Sequence, residues 1–427
     1  MPTQTDVTGE MSPRAAWLLI LAASAILMIT MGARLTTGLF MSPINTSTGM
    51  GVAAISFALA VGQFMWGAAQ PVFGALADKY GAVKVVVAGA LMLAGGLALT
   101  PLVGSQWGLL MTMGFLSAAG AGAGSFSILI GATAQRLPAA RRPFAAGFIN
   151  AGGSFGQFVF APLMQAIISS AGWIAAMLTM AATSLLTIPL AWQLRDPKGE
   201  GAAARAAHLA QTTVRDPQAP PEMTLRRQIG IAMRDRSYLL LHLGFFTCGF
   251  HIAFLVTHLP GEVALCQLSA SVSATALGLI GLFNIAGSLT AGALATRYRM
   301  KSLLALMYAS RAVIVGVYLL APKTPMTFYV FAAALGFTWL ATVPPTAGLV
   351  GKLFGMRYLS TLFGLTLLSH QIGGFLGAWL GGLAFVNFGN YNWMWYADIV
   401  LALAAALLNL PIREAHLPPR AAVVAPV

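Results

Sequence analysis

The chain contains the segment Gly74-Ala-Leu-Ala-Asp78-Lys79-Tyr-Gly81-Ala-Val-Lys84 and, 218 residues later, a second copy, Gly292-Ala-Leu-Ala-Thr296-Arg297-Tyr-Arg299-Met-Lys301. In both copies, a helix end rich in small residues leads into a short basic turn between two long apolar stretches. The spacing is about half of the 427-residue chain. Internal repetition at this distance indicates two halves of similar construction.

The composition of the chain places both halves in a membrane. Hydrophobic residues make up 58% of the sequence, charged residues only 8%, and the mean hydropathy is +0.79. Soluble domains carry about a quarter charged residues, because their surface faces water. A chain of this length with so little charge must expose most of its surface to lipid. The 46 glycines fit this interpretation, since small residues let membrane helices approach closely.

The net charge of +13 does not indicate nucleic-acid binding. The basic residues lie in short turns between apolar stretches, and they do not form one dense patch with stacking aromatic residues. The two cysteines, Cys248 and Cys266, imply neither a disulfide framework nor a cysteine-based metal site. We therefore expect no nucleic-acid partner, no metal site and no cofactor.

Apolar stretches of about 20 residues can cross a bilayer as helices, and their number here predicts an all-α membrane protein. A polar stretch follows the sixth of twelve such spans. This division predicts an N-terminal six-helix bundle over 1–194, a linker over 195–236 and a C-terminal six-helix bundle over 237–427. The predicted spans are 15–42, 52–77, 84–103, 107–135, 143–168, 173–194, 237–259, 269–295, 302–321, 326–350, 358–386 and 392–412.

Positive charge is distributed asymmetrically around these spans. All but three of the 24 lysine and arginine residues fall on one predicted side, together with the linker and both termini. Lys323 falls on the other side, whereas Arg34 and Arg311 fall inside spans. Because positive loops stay in the cytoplasm, we expect a multi-pass protein of the inner (cytoplasmic) membrane with both termini cytoplasmic. We also expect it to be monomeric.

The repeated segment, the twelve spans and the central linker together resemble the major facilitator superfamily. In that family, the loop after the second helix reads roughly Gly-x-Leu-Ala-Asp-Arg-x-Gly-Arg-Lys. Gly74, Asp78, Lys79 and Gly81 hold the corresponding positions, whereas the second copy has Thr296 in place of the acid. A glycine-rich pattern also repeats between the fifth and eleventh spans, 217 residues apart.

The resemblance implies a secondary transporter built as two pseudo-symmetric six-helix bundles around a central cavity. It also implies that the loop with Gly74, Asp78, Lys79 and Gly81 acts as a gate that braces the two halves. The glycine-rich fifth and eleventh spans look like those of bacterial monocarboxylate and oxalate/formate-type porters. Such porters often hold a carboxylate with a cation in the eighth or eleventh helix.

Arg34 is the first candidate for binding an anionic substrate, because a charge at mid-membrane is costly and rarely accidental. It lies in the first span, which by resemblance lines the cavity, and a guanidinium suits a carboxylate. The alternative is an arginine that reaches the interface or bonds carbonyls near a kinked helix end. Asn150, Asn284 and His370 are further candidate substrate contacts, although such side chains often bond helix to helix instead.

Arg311 in the ninth span and Asp398 in the twelfth are predicted to lie within about 6 Å of each other in depth, from a rise of 1.5 Å per residue. We interpret them as a buried structural ion pair, and a direct substrate contact by Arg311 is the alternative. Glu262 is expected in an outer loop. By resemblance, the twelfth helix supports the bundle, so no cavity-facing carboxylate is predicted.

Histidines are therefore the candidate proton carriers, since imidazole titrates near neutral pH. His251 is preferred because the repeat places it beside the position of Arg34, and His370 is the second candidate. His258 shares a helix face with His251, about 10.5 Å away along the axis. For each histidine, a neutral ring bonded between helices is the alternative.

These features together predict a secondary active transporter that moves a small organic anion, such as a monocarboxylate, with protons and by alternating access. Two other classes stay open. An efflux pump for amphipathic compounds would fit the abundant Met and Phe residues, and a membrane receptor that has lost transport would not need an intact gate loop. The sequence does not predict an enzyme, because no nucleophile, base and orienting group share an accessible site.

Overall fold

The computed structural model describes residues 12–134, 136–137, 142–195, 224–295, 297–354 and 359–414. Within these ranges, the description leaves out the side chains at 75, 78, 79, 134, 142–144, 146, 225, 359 and 360.

Six long helices form the N-terminal half. They are α1 (Pro13–Leu35), α2 (Val52–Tyr80), α3 (Ala82–Leu99), α4 (Gln106–Thr133), α5 (142–171) and α6 (173–194). α5 runs directly into α6 at Gly172, whose φ of 85° suits glycine and reverses the chain without a loop.

Six more helices form the C-terminal half. They are α7 (Arg236–Leu265), α8 (Ala270–Leu294), α9 (Met300–Leu320), α10 (Pro325–Phe354), α11 (Leu359–Phe388) and α12 (Asn392–Asn409).

The helices confirm the prediction of an all-α protein with twelve spans. Ten helical stretches of the described chain are long and apolar enough to cross a membrane. One of them, Gly147–Leu194, has 48 residues and contains most of α5 together with α6. α12 has 18 residues and adds a further helix of spanning length. The domain boundaries remain predictions, because residues 196–223 lie outside the described ranges.

α1 and α7, which head the two halves, begin with similar caps. Ser12 accepts a hydrogen bond from the amide of Ala15 at 3.3 Å, and Pro13 occupies the first helical position. Asp235 accepts hydrogen bonds from the amides of Ser237 and Tyr238 at 2.8 and 3.2 Å. Such caps satisfy amides that the start of a helix leaves free.

Of the spans predicted as continuous helices, the first is broken in its last third and the tenth near its middle. α1 ends at Leu35, and the chain continues through a turn at Thr37–Phe40 into the short helix Met41–Thr48. α10 consists of two helices, Pro325–Thr338 and Val343–Phe354, with an irregular stretch between them. Within a membrane, side chains must satisfy the backbone groups that such breaks set free.

The two halves contact each other from one end of the bundle to about mid-helix. We call the end at which α1 and α7 begin the linker side, and the opposite end the loop side. At the loop side, a Cβ atom at Gly38 would clash with the carbonyl of Val256, and one at Gly382 would clash with Ser56. Both contacts join an N-terminal residue to a C-terminal one, so this end is closed.

Toward the linker side, the two halves separate. At mid-helix, Gly67 of α2 lies directly against Gln371 of α11. Gly74 and Gly364 lie on the same two helix faces, seven residues nearer the linker side. Neither has a described atom within 4 Å of its Cβ position. The described conformation is therefore closed on the loop side and opens toward the linker side.

Candidate functional site

Arg34 lies at the break of α1 and reaches toward α2. Its Nη2 donates a hydrogen bond to Oε1 of Gln63, and its guanidinium carbon lies 4.1 Å from the centre of the Trp66 ring. The side chain is half-buried, and its Nε has no described protein partner. Since a guanidinium has five N–H donors, Arg34 keeps donors free for a ligand.

A cavity of about 50 Å³ lies beside Arg34, between α1, α2, α3 and α4. One water molecule needs about 10–15 Å³ in such a cavity, so the space suits several waters or the head group of a small anion. The polar part of the lining consists of Arg34, Thr37, Gln63 and Ser117, and the rest is apolar. The cavity thus combines one positive charge with neutral hydrogen-bonding groups.

His251 of α7 and Asp398 of α12 form a buried pair in the C-terminal half. Nδ1 of His251 donates a hydrogen bond to Oδ2 of Asp398, and each side chain is 1% exposed. Nε2 of His251 and Oδ1 of Asp398 have no described protein partner. An imidazole can bind a proton at its second ring nitrogen while the first stays hydrogen-bonded to a carboxylate.

Arg311 bonds the backbone that the break of α10 sets free. Its Nη2 donates to the carbonyl of Thr338 and, at 2.6 Å, to that of Trp339, whereas its Nη1 donates to Sγ of Cys248 at 3.4 Å. Only 1% of Arg311 is exposed. The side chain therefore fixes the first part of α10 to α9 and α7.

The predicted ion pair between Arg311 and Asp398 is not formed. Asp398 bonds His251, and Arg311 bonds the carbonyls of α10, although the two charges still attract each other at longer range. The prediction treated α10 as one continuous helix, in which these carbonyls would be occupied by intrahelical bonds. The break changes the partner of Arg311.

Asn284 also holds the break of α10 and connects the two halves. Its Oδ1 accepts a hydrogen bond from the amide of Leu340, and its Nδ2 donates to Ser154 of α5, both at 2.9 Å. With both ends of its amide group engaged, Asn284 is a structural contact in this conformation, in contrast to its predicted substrate role. Asn150 is half-buried and lies one turn from Ser154 on the same face of α5.

His370 lies at the edge of this cluster. Its ring packs against Phe245 with centroids 4.9 Å apart, it interacts with Cys248, and its Nε2 has no described protein partner. His370 is thus next to the thiol that bonds Arg311, but it does not bond the His251–Asp398 pair. Its predicted roles in substrate binding and proton transfer remain predictions.

The predicted gate loop after α2 is only partly described. Gly74 lies in the last two turns of α2, and Gly81 ends the helix with a φ of 92°, a conformation that favours glycine. The side chains of Asp78 and Lys79 lie outside the described residues. Their role as a gate therefore stays a prediction.

Glu414, an acid that the sequence did not single out, follows α12 and bonds the start of α9. Glu414 accepts hydrogen bonds from the amides of Met300 and Lys301, each at 3.1 Å, and pairs with Nζ of Lys352 at 2.6 Å. Burial raises the pKa of Glu414, but the bonds from Lys352, Lys301 and Met300 outweigh burial and lower it. The second copy of the repeat has Thr296 where the first copy has an acid, and Glu414, which follows α12, bonds the last residues of this second copy.

Glu262 was expected in an outer loop, and this expectation was wrong. The predicted span ended at 259, but α7 continues through Pro260 to Leu265. Glu262 is 9% exposed and accepts a hydrogen bond from the hydroxyl of Tyr318 at 2.7 Å. A buried carboxylate therefore lies near the loop-side end of α7.

The repeat places His251 at the position of the C-terminal half that corresponds to the neighbour of Arg34, and the structure does not bring the two side chains into contact. Arg34 bonds Gln63 within the N-terminal half, and His251 bonds Asp398 within the C-terminal half. The cation and the titratable pair are therefore two sites in opposite halves.

Known sequences of similar length match nearly the whole chain. The chain is 26% identical over 399 residues to monocarboxylate transporter 13 of Bos taurus, a match that covers 92% of this chain and 89% of that protein. It is 23% identical over 414 residues to the oxalate:formate antiporter of Oxalobacter formigenes, which covers 96% of this chain and 94% of the antiporter.

Two solved structures share the fold. The D-xylose-proton symporter superposes with a TM-score of 0.71 at 13% identity, covering 94% of this chain and 98% of the symporter. A bacterial homologue of the human lysosomal transporter Spinster, in an inward-facing and unoccupied conformation, gives 0.68 at 14% identity, with 94% and 95% covered. The family model of the Major Facilitator Superfamily matches residues 21–378. The chain is therefore a multi-pass membrane transporter that belongs to the Major Facilitator Superfamily.

Proposed function

We propose that the protein moves a small organic anion, of the monocarboxylate class, across the cytoplasmic membrane together with protons. In this proposal, Arg34 binds the anion and the His251–Asp398 pair binds the proton. The linker side is the cytoplasmic side, both termini are cytoplasmic, and the protein acts as a monomer with bundles over 1–194 and 237–427. The observation that carries the proposal is the half-buried guanidinium of Arg34 beside a small, largely apolar cavity.

The anion site follows from the way in which Arg34 is held. Gln63 and Trp66 orient the guanidinium but do not neutralise it, since an amide oxygen and an aromatic ring carry no net charge. A cation without a counter-charge is costly inside a membrane. A carboxylate that enters the cavity removes this cost and accepts the free N–H donors. The small volume favours a compact acid over a drug-sized molecule.

The proton site follows from the burial of the His251–Asp398 pair. Both side chains are almost fully buried, and Arg311, whose charge acts on Asp398 at longer range, bonds the carbonyls of α10 instead. A proton added to the pair changes the charge of a desolvated group, which has a large effect on the free energy of the surrounding helices. Because α7 and α12 carry the pair, protonation can change how these helices pack.

The relatives support the class of substrate. Two proteins that match over nearly the whole chain are named for monocarboxylate transport and for oxalate:formate exchange. The arrangement of helices supports alternating access, because the halves meet at the loop side and separate toward the linker side.

Uptake of radiolabelled formate, acetate, lactate and oxalate into proteoliposomes, with and without an inward proton gradient, tests this function. We expect at least one monocarboxylate to enter faster with the gradient. Arg34→Gln should abolish this uptake and Arg34→Lys should keep part of it, whereas the matched control Arg226→Gln, at an exposed position of the linker, should behave as the wild type.

Two results would contradict the proposal. Anion uptake that persists unchanged in Arg34→Gln would remove Arg34 from the substrate site. Export of cationic amphipathic dyes, with no transport of the four acids, would instead identify an efflux pump.

A further inference from the structure

We propose that three side chains on one face of α7 form a proton path from the loop side to the His251–Asp398 pair. They are Glu262, His258 and His251, and we call them the α7 row. This inference rests on the proposed proton coupling and adds the residues that deliver the proton. Nothing in the resemblance to known transporters assigns a role to Glu262 or His258.

The geometry of α7 aligns the row. At about 100° per residue, positions 251, 258 and 262 lie within about 20° of one line along the helix. The axial steps are about 10.5 Å from His251 to His258 and about 6 Å from His258 to Glu262. The row therefore runs from the buried pair to the last turn of α7 at the loop side.

α12 packs against this row in register. The ring of Tyr391 lies against that of His258 with centroids 5.3 Å apart, and Asp398 bonds His251. The two contacts are seven residues apart on each helix, as expected when two antiparallel helices keep the same faces together. The row is thus enclosed by protein along two full turns.

Polar atoms along the row lack described protein partners. They are Nδ1 of His258, Nε2 of His251, Oδ1 of Asp398 and Nε1 of Trp395, and each of these side chains is buried. Buried polar atoms are almost always hydrogen-bonded, and water serves where protein does not. The free atoms therefore mark positions at which water can bridge the steps between the titratable groups.

The hydrogen bond of His258 determines which of its ring nitrogens can bind a proton. Its Nε2 donates to the carbonyl of Ala378 at 2.6 Å, which leaves Nδ1 with a lone pair that no described protein group occupies. A proton from Glu262 binds Nδ1 and forms the imidazolium. It then leaves from Nδ1 through water to Nε2 of His251, and the carboxylate of Asp398 stabilises the charge that arrives.

Glu262 is the outer end of the path, and it is covered in this conformation. Tyr318 donates its hydroxyl hydrogen to Glu262, and Nζ of Lys323 lies 4.0 Å from the centre of the Tyr318 ring. Burial lowers the pKa of Lys323, which lies in the loop after α9. A path closed at the loop side agrees with contacts that close the same end between the halves.

Other titratable groups surround the row, and they come from several elements. The groups that face it or act on its members are Tyr318 of α9, Lys323 after α9, Cys266 after α7, Tyr391 at the N-cap of α12, Asp398 of α12, Arg311 of α9 and Cys248 of α7. On α7 itself, Cys248 comes before His251 and Cys266 comes after Glu262, so neither cysteine lies between members of the row.

Two transport assays in proteoliposomes distinguish a proton path along the α7 row from a purely structural role of its residues. Uptake of the four acids driven by a proton gradient requires net proton transfer, whereas exchange of labelled for unlabelled acid at equal pH does not. We expect His258→Gln and Glu262→Gln each to slow gradient-driven uptake at least about tenfold, at the low end of what a positioned proton carrier contributes. Exchange should stay within about twofold of the wild type, because the anion site is untouched.

These substitutions preserve hydrogen bonds. Glutamine at 258 can still donate to Ala378, and glutamine at 262 can still accept from Tyr318. The matched control is His242→Asn on the opposite face of α7, where Nδ1 of His242 bonds Ser369 at 2.6 Å. It should leave gradient-driven uptake unchanged.

Each outcome decides the inference. If gradient-driven uptake is normal in both His258→Gln and Glu262→Gln, the α7 row is not the proton path, although proton coupling itself is retained. Equal loss of uptake and exchange, with a normal melting temperature, shows a structural role and also overturns the inference. If the wild type transports none of the acids with protons, the proposed function is refuted, and the proton path along the α7 row is refuted as well.

Discussion

Asp398 bonds His251 and not Arg311, although both partners belong to the same buried cluster. A carboxylate that is paired with an arginine resists protonation, because the permanent positive charge stabilises its ionised form. A histidine partner can itself gain or lose a proton. The choice of partner therefore makes Asp398 part of a titratable pair rather than of a permanent ion pair.

Asp398→Asn should abolish the proton dependence of uptake while the hydrogen bond to His251 is kept. Asparagine presents an oxygen to Nδ1 of His251 but cannot hold a proton. We expect an inward proton gradient to stop accelerating uptake, with anion exchange retained. Asp235→Asn is the control, since Asp235 pairs with Arg413 at the start of α7, away from the cluster. If Asp398→Asn kept a normal response to the gradient, the pair would not be the proton site.

Arg311→Met should destabilise the protein, because it strands the carbonyls of Thr338 and Trp339 inside the membrane. Hydrogen bonds from charged donors contribute about 1.5–3 kcal/mol each, so we expect a loss of roughly 3 kcal/mol or more. Arg311→Lys should have an intermediate effect, since an ammonium keeps the charge but not the forked geometry. Thermal unfolding in detergent measures both.

The exposed Arg226 provides the control for Arg311. Arg226→Ala removes an arginine without a buried partner and should change the free energy of unfolding by less than about 0.5 kcal/mol. An Arg311→Met protein as stable as Arg226→Ala would mean that the break of α10 does not depend on Arg311.

The sequence predicted the fold because the relevant signals are long and repeated. Twelve apolar stretches and the copy of the 74–84 segment at 292–301 are properties of whole helices, and single side chains do not alter them. The breaks in α1 and α10 were not predictable in this way. A hydropathy pattern does not change when a few backbone bonds are replaced by bonds to Arg311 and Asn284.

The sequence singled out individual residues of the candidate sites but did not predict which residues they contact. The cost of a buried charge identified Arg34, Arg311 and Asp398. Their partners depend on side-chain direction and on the break of α10, which spacing along the chain does not contain. Glu414 was missed because it acts on α9 from more than a hundred residues away.

Glu414 should make stability depend on pH in the acid range. Its pKa is lower in the folded protein than in the unfolded chain, where it is about 4.3. The stabilisation is therefore present above about pH 4.3 and is lost as the pH falls through the folded-state pKa. We expect the melting temperature of the wild type to fall in this range more steeply than that of Glu414→Gln.

Lys352→Gln checks the source of this effect. Because Lys352 pairs with Glu414, the double variant should be less destabilised at neutral pH than the sum of the two single variants. Additive effects, or identical acid profiles for the wild type and Glu414→Gln, would show that Glu414 does not stabilise the start of α9 as described.

Gly38→Ala should disfavour the conformation that is closed on the loop side. A methyl group at this position would clash with the carbonyl of Val256 across the two halves. Overpacking costs typically about 1–3 kcal/mol, and about 1.4 kcal/mol changes a population tenfold. The reporter is Ser56→Cys, because Ser56 is fully buried against Gly382 at the same end.

In a Cys266→Ser background, the rate at which a membrane-impermeant maleimide labels the cysteine at 56 reports opening of the loop side. The remaining Cys248 is fully buried and should not react. We expect Gly38→Ala to increase this rate at least about tenfold, in proportion to the population that opens. Gly95→Ala on α3 adds the same methyl group where no described atom lies within 4 Å, so it should leave the rate unchanged. An equal rate in both variants would show that the contact between Gly38 and Val256 does not hold the loop side closed.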